Sequence, residues 1–150
     1  MPLVTPPPYL SPPPAIVQQL GEVKRIDRFT ALPVGIQKGA FRVDGFSAAG
    51  WKMAEPGGPF SATDEPIPGA PGRRLIFAAC NPQLCLIHYE KGGVQHMWEI
   101  LALSLGAHGW SAIWNATGPH AIANLDSMRA MLRGQASAAR WSEQWVKGDF

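Results

Sequence analysis

Four side chains near the middle of the chain, His88, Glu90, His96 and Glu99, have the types and spacing for chemistry. Two imidazoles with Glu90 as a third ligand would suit zinc or iron. The same two histidines would serve general acid–base work near neutral pH. Either use requires His88 and His96 to be cross-strand neighbours, and no third histidine stands at ligand spacing. A histidine hydrogen-bonded at a sheet end accounts for the same residues without any chemistry. The reading therefore assigns no metal, no cofactor and no catalytic residue.

Cys80 and Cys85 are separated by four residues, wider than the Cys-x-x-Cys of redox motifs and zinc knuckles. Opposed across a hairpin they would form a disulfide in an oxidising compartment. In a reducing one they would be small buried apolar groups. Ser61, Thr63, Asp64 and Glu65 form a polar cluster, but nothing around Ser61 resembles a nucleophile elbow, and turn capping explains them. Asn115-Ala116-Thr117 matches the glycosylation acceptor pattern, a three-residue match that chance supplies often. Of six tryptophans, Trp110 and Trp114 read as core. Trp98, Trp141 and Trp145 read as core or as the wall of a groove that binds sugars, peptides or bases.

These residues need elements to hold them. Arg74 to Cys80, Leu84 to Glu90, Val94 to Leu105 and Trp110 to Ala116 read as strands. They are joined by turns at Asn81-Pro82-Gln83, Lys91-Gly92-Gly93 and Gly106-Ala107-His108-Gly109. Short consecutive connections make this an antiparallel meander. Asn124 is placed as an N-cap before the apolar stripe Leu125, Met128, Met131 and Leu132, and Gly134 as the C-cap glycine. Weaker helical patterns run over Ala15 to Arg25, Pro33 to Arg42 and Ala138 to Val146, and Phe46 to Ala54 reads as a strand. Glu55 to Gly72 is a long loop rich in Pro and Gly. Seven prolines in residues 1–14 favour polyproline II and a flexible tail. The fold expected is α+β: an antiparallel meander of about four or more strands packed on a C-terminal helix, with short N-terminal helices. It forms one domain over 15–150.

Register divides the meander into faces. Pairing Cys80 with Cys85, Glu90 with Val94, His88 with His96, Leu105 with Trp110 and Leu101 with Trp114 defines the first face. It carries Ile76, Ile87, Tyr89, Met97, Leu101, Leu103, Leu105, Trp110 and Trp114, a core with the 125–132 helix as its cover and Glu99 as its anomaly. The second face carries Leu75, Phe77, Leu84, Leu86, His88, Glu90, His96, Trp98, Ile100, Ile113 and Asn115. An open face normally alternates apolar and polar residues. This one is too apolar to be bare, so the N-terminal half, a partner or a ligand must cover it.

Composition narrows the function. The chain has 150 residues, 46% apolar and 16% charged, with a net charge of +2. That is enough for one folded domain and too little charge to imply nucleic acid or a membrane surface. No stretch approaches the ~20 apolar residues of a membrane span. As written the chain reads as cytoplasmic, or as periplasmic or secreted if a signal peptide has been removed. The function expected is a non-enzymatic binding or interaction module, with a protein or small-molecule partner on the face formed by Leu86, His88, Glu90, His96 and Trp98. The alternative is a small metal- or histidine-dependent enzyme centred on His88 and His96.

Overall fold

Asn81 shows how the sheet begins. Its Oδ1 accepts from the amides of Gln83 and Leu84, both at 2.8 Å. The side chain thus replaces backbone partners in a tight turn. That turn sets Cys80 opposite Cys85 and joins β4 (Arg73–Cys80) to β5 (Leu84–Lys91). The meander continues through β6 (Met97–Gly106) and β7 (Gly109–Gly118), turning at Gly109, whose φ is 104°. The computed structural model describes residues 8–43, 46–47, 51–63 and 67–144.

Among the described residues the sheet has eight strands. Its order is β1 (Lys24–Ile26), β4, β5, β6, β7, β2 (Phe41–Val43) and β3 (Phe46–Ser47), and β8 (Ser142–Gln144) also pairs with β7. β2 and β8 share the outer edge of β7. The first lies parallel beside Trp110 and Ser111, the second antiparallel beside Asn115 to Thr117. With α3 (Leu125–Leu132), and the one-turn helices α1 (Pro14–Val17) and α2 (Val34–Gln37), the fold is α+β with an antiparallel meander at its centre. No helix among the described residues is long and apolar enough to cross a membrane.

The second turn differs from expectation. β5 and β6 pair Lys91 with Met97, Glu90 with Trp98 and His88 with Ile100, leaving 92–96 as the connection. Gly92 is diverted to the long loop. Its amide donates to the Gly72 carbonyl at 2.9 Å, and a Cβ there would overlap the Ser61 carbonyl oxygen. The register moves by four residues, an even slip, so most side chains keep their predicted faces. Two irregularities move others. The ladder shifts between Leu75 and Phe77, placing Leu75 on the first face. It shifts again between Ala102 and Leu103, so Leu101 pairs with Asn115 and Trp114 joins the second face.

The covers are exchanged relative to expectation. The second face, with Phe77, Leu84, Leu86, Ile100 and Trp114, packs under Met128, Met131 and Leu132 of α3 and under Ile16, Leu20 and Val23. The first face, with Leu75, Ile87, Tyr89, Leu101 and Leu103, packs under Leu32, Ile36, Phe41, Trp51 and Met53. Each large apolar side chain so buried contributes about 2 kcal/mol. The Asn124 side chain caps α3 by accepting from Ser127 N at 2.8 Å. Arg129 fixes where α3 lies by donating to the carbonyls of Leu20 and Val23, both at 2.8 Å.

The expected helix over 15–25 is one turn long, because Lys24–Ile26 instead pairs with the free edge of β4. The 33–42 pattern likewise yields only α2, followed by β2. Over 138–146, Arg140 takes φ 68° and the chain continues as β8 rather than as a helix. Trp145 lies outside the described residues. So do 1–7 of the Pro-rich segment and 48–50 of the expected Phe46 to Ala54 strand, of which Phe46–Ser47 is observed as strand. From Pro8 the chain packs on the body: Leu10 is buried and the Ser11 amide donates to the Glu143 carboxylate.

Candidate functional site

β5 projects His88 into the second face, between Phe77 and Trp141, where it is 0% exposed. Its two nitrogens are both committed. Nδ1 lies 2.8 Å from the Glu99 carbonyl oxygen, which only accepts, and Nε2 lies 2.9 Å from the Ile122 amide, which only donates. The ring is therefore the neutral tautomer with its proton on Nδ1. Burial pushes its pKa down to about 4, against the raising effect of the Glu99 hydrogen bond. No lone pair is left for a metal or a substrate proton. Leu86 on the same strand is also 0% exposed. These two members of the expected binding face are core.

Glu90, His96 and Trp98 gather at the end of that face. Glu90 is bound by Arg74 through Oε1 and approached by His96 Nε2 at 3.3 Å. His96 stacks on Trp98 with centroids 4.4 Å apart and planes 15° apart. Arg74 also donates to the Gly58 carbonyl at 3.0 Å and lies over the Phe60 ring. Phe60 meets His96 edge-on at 5.6 Å. This group clamps the long loop onto the sheet. His88 pairs with Ile100 and not with His96, so the two histidines lack the cross-strand register that the alternative enzyme reading needs. Among the described residues no three His, Cys, Asp or Glu side chains converge as a metal site.

The first face carries the other buried charge. Glu99, 3% exposed, sits between Tyr89 on β5 and Thr117 on β7. The Tyr89 hydroxyl donates to Oε2 and the Thr117 hydroxyl to Oε1, each at 3.2 Å. Burial raises the carboxyl pKa, and Lys91, these two hydroxyls and Arg73 lower it; burial prevails. The Tyr89 phenol is held well above its ordinary value by its burial and by Glu99. On the same face the buried Trp51 Nε1, Arg73 Nε and Asn115 Oδ1 have no hydrogen-bond partner among the described residues. Asn115 is 2% exposed, so the glycosylation acceptor match is a core asparagine.

Thr117 connects this buried acid to the surface. It lines an open cleft of about 400 Å³ with Gln95, His96, Met97, Gly118, Pro119, Arg140 and Ser142. The wall depends on Gly118: the Trp141 indole lies against its Cα, where a Cβ would overlap the ring. Arg140 is exposed and makes no ion pair among the described residues. Sequence reasoning found His96 but not Thr117, Arg140 or Ser142. β8 brings the last two to the β7 edge, and the sequence pattern over 138–146 pointed to a helix.

Cys80 and Cys85 are joined by a disulfide on the first face, across the pair that Asn81 sets. Ser61 is buried and its Oγ accepts from the Ile67 amide at 2.9 Å, a turn-stabilising role. Asp64 lies outside the described residues. Comparison with protein-family models, curated proteins and solved structures finds no match to this chain.

Proposed function

We propose that the domain is a non-enzymatic binding module whose ligand is a small molecule held in the cleft between Gln95–Met97, Thr117–Pro119 and Arg140–Ser142. The observation carrying this reading is the cleft's make-up. A volume of about 400 Å³ lies within the ordinary range of small-molecule sites. Polar side chains from three separate segments converge there beside the partly exposed Trp98. Arg140 holds a left-handed backbone, which costs a non-glycine residue on the order of 1 kcal/mol. Among the described residues both sheet faces are covered by packed side chains.

A cleft-filling variant tests the reading. Ser142 is exposed, so Ser142→Trp should leave the unfolding midpoint unchanged while occupying the cleft. A small-molecule library screened by thermal shift should give compounds that stabilise the native chain and not the variant. Compounds that stabilise both equally would place the ligand elsewhere and refute the reading.

A further inference from the structure

Resting on the cleft reading, we propose that the ligand is a small organic carboxylate, taken on the Arg140 guanidinium and the Thr117 hydroxyl, with Glu99 behind Thr117 as a proton-carrying partner. The charge of the lining comes first. Arg140 is the one residue of the cleft wall with a permanent charge, and it is unpaired among the described residues. The nearest carboxylate at the His96 side, Glu90, is already bound by Arg74. Gln95 and Ser142 add neutral donors. A guanidinium flanked by neutral donors matches the planar, two-oxygen geometry of a carboxylate.

Thr117 supplies the second observation. Thr117 lines the cleft, and its hydroxyl reaches Glu99 Oε1 at 3.2 Å. With Glu99 ionised, the hydroxyl must donate inward to the carboxylate. With Glu99 protonated, the carboxyl donates to Thr117 Oγ1, and the hydroxyl proton is free to point into the cleft. An anion there gains a donor and loses a buried negative neighbour in the same step. The groups facing Glu99 are Arg73 on β4, Tyr89 and Lys91 on β5, and Thr117 on β7. Burial keeps the carboxyl easier to protonate than an exposed glutamate, in keeping with this exchange. Ligand binding and proton uptake at Glu99 are therefore linked, each favouring the other.

The test is a titration of the full chain with benzoate, inorganic phosphate and neutral benzyl alcohol, read by backbone amide shifts at pH 5.5 and pH 8. Benzoate should move Thr117, Gly118, Arg140 and Ser142, and bind about threefold or more weakly at pH 8. Arg140→Met should lose about tenfold or more in benzoate affinity. Glu99→Gln, whose amide donates to Thr117 at every pH, should bind benzoate tightly and with less pH dependence than the native chain. His96→Gln, which removes the titratable ring of the cleft wall, should keep the Glu99-linked dependence. Thr117→Val serves as the second variant should Glu99→Gln fold poorly, and it should bind weakly at both pH values. Benzyl alcohol binding as well as benzoate, with no loss in Arg140→Met, would overturn the carboxylate while leaving the cleft as the ligand site. Phosphate shifting these amides with benzoate silent would also overturn it. Equal benzoate affinity at both pH values in the native chain would overturn the role of Glu99.

Discussion

The Nδ1 proton of His88 points at the backbone carbonyl of Glu99, 2.8 Å away, while the Glu99 side chain points to the other face of the sheet, toward Tyr89 and Thr117. One strand segment thus serves two buried titratable groups on opposite faces. Their shifts have opposite consequences. His88 is held neutral, and its native pKa of about 4 lies below the ordinary 6.5. Glu99 is held above the ordinary 4.5.

For His88 the unfolded chain binds more protons between pH 6.5 and 4, so stability is fully present above 6.5 and falls as pH drops through that window. The contribution is roughly 3 kcal/mol. His88→Gln should be less stable than the native chain at pH 7 and should lack this component of the acid slope. Urea unfolding at pH 7 and pH 4 measures it. An unchanged slope would show that His88 does not titrate with unfolding.

For Glu99 the native chain binds more protons just above pH 4.5, so stability is complete below that value and declines as pH rises through the raised native pKa. Glu99→Gln should be more stable than the native chain at pH 8, with the gap closing toward pH 4.5. Between 4.5 and 6.5 the two groups oppose each other, so each slope is read in the variant lacking the other. A Glu99→Gln chain less stable at pH 8 would mean that the ionised carboxyl is a net asset.

Leu86 and Trp98 stand on one face of the sheet but should behave differently. Leu86→Ala leaves a cavity beneath α3 and should cost about 2–5 kcal/mol in unfolding free energy. Trp98 is only partly buried and stacks on His96, and Trp98→Ala should cost less than Leu86→Ala. Equal costs would place both residues in the core.

The Cys80–Cys85 disulfide closes a short loop, its residues five positions apart. The chain-entropy argument gives such a loop roughly 2 kcal/mol. Reduction, or Cys80→Ala with Cys85→Ala, should lower stability by about that much and leave the meander folded. Loss of the far-ultraviolet strand signal on reduction would contradict this.

The meander was legible because Asn81, the Gly-rich turns and the apolar alternation are local signals. The helix stripe with its Asn124 cap was legible for the same reason. Which face α3 covers was not, because both faces are apolar and the choice depends on Arg129 reaching carbonyls more than a hundred positions away. The second hairpin was misread because Gly92 takes its partners from Gly72 and Ser61, a tertiary contact that turn chemistry does not encode. Of the candidate site, His96 was visible as a chemical type. Thr117 and Arg140 were not, since only the pairing of β7 with β8 sets Thr117 beside Ser142.

The central claim is that the ligand-binding surface is the cleft at Thr117 and Arg140 and not a face of the sheet. Backbone amide shift mapping of the intact chain with a mixed library of small polar and aromatic fragments tests it most directly. The shifts should cluster on Gln95, His96, Thr117, Gly118, Arg140 and Ser142, with Leu86 and His88 unmoved. Shifts centred on Leu86, His88 and the α3 contact, or spread without any cluster at the cleft, would contradict it.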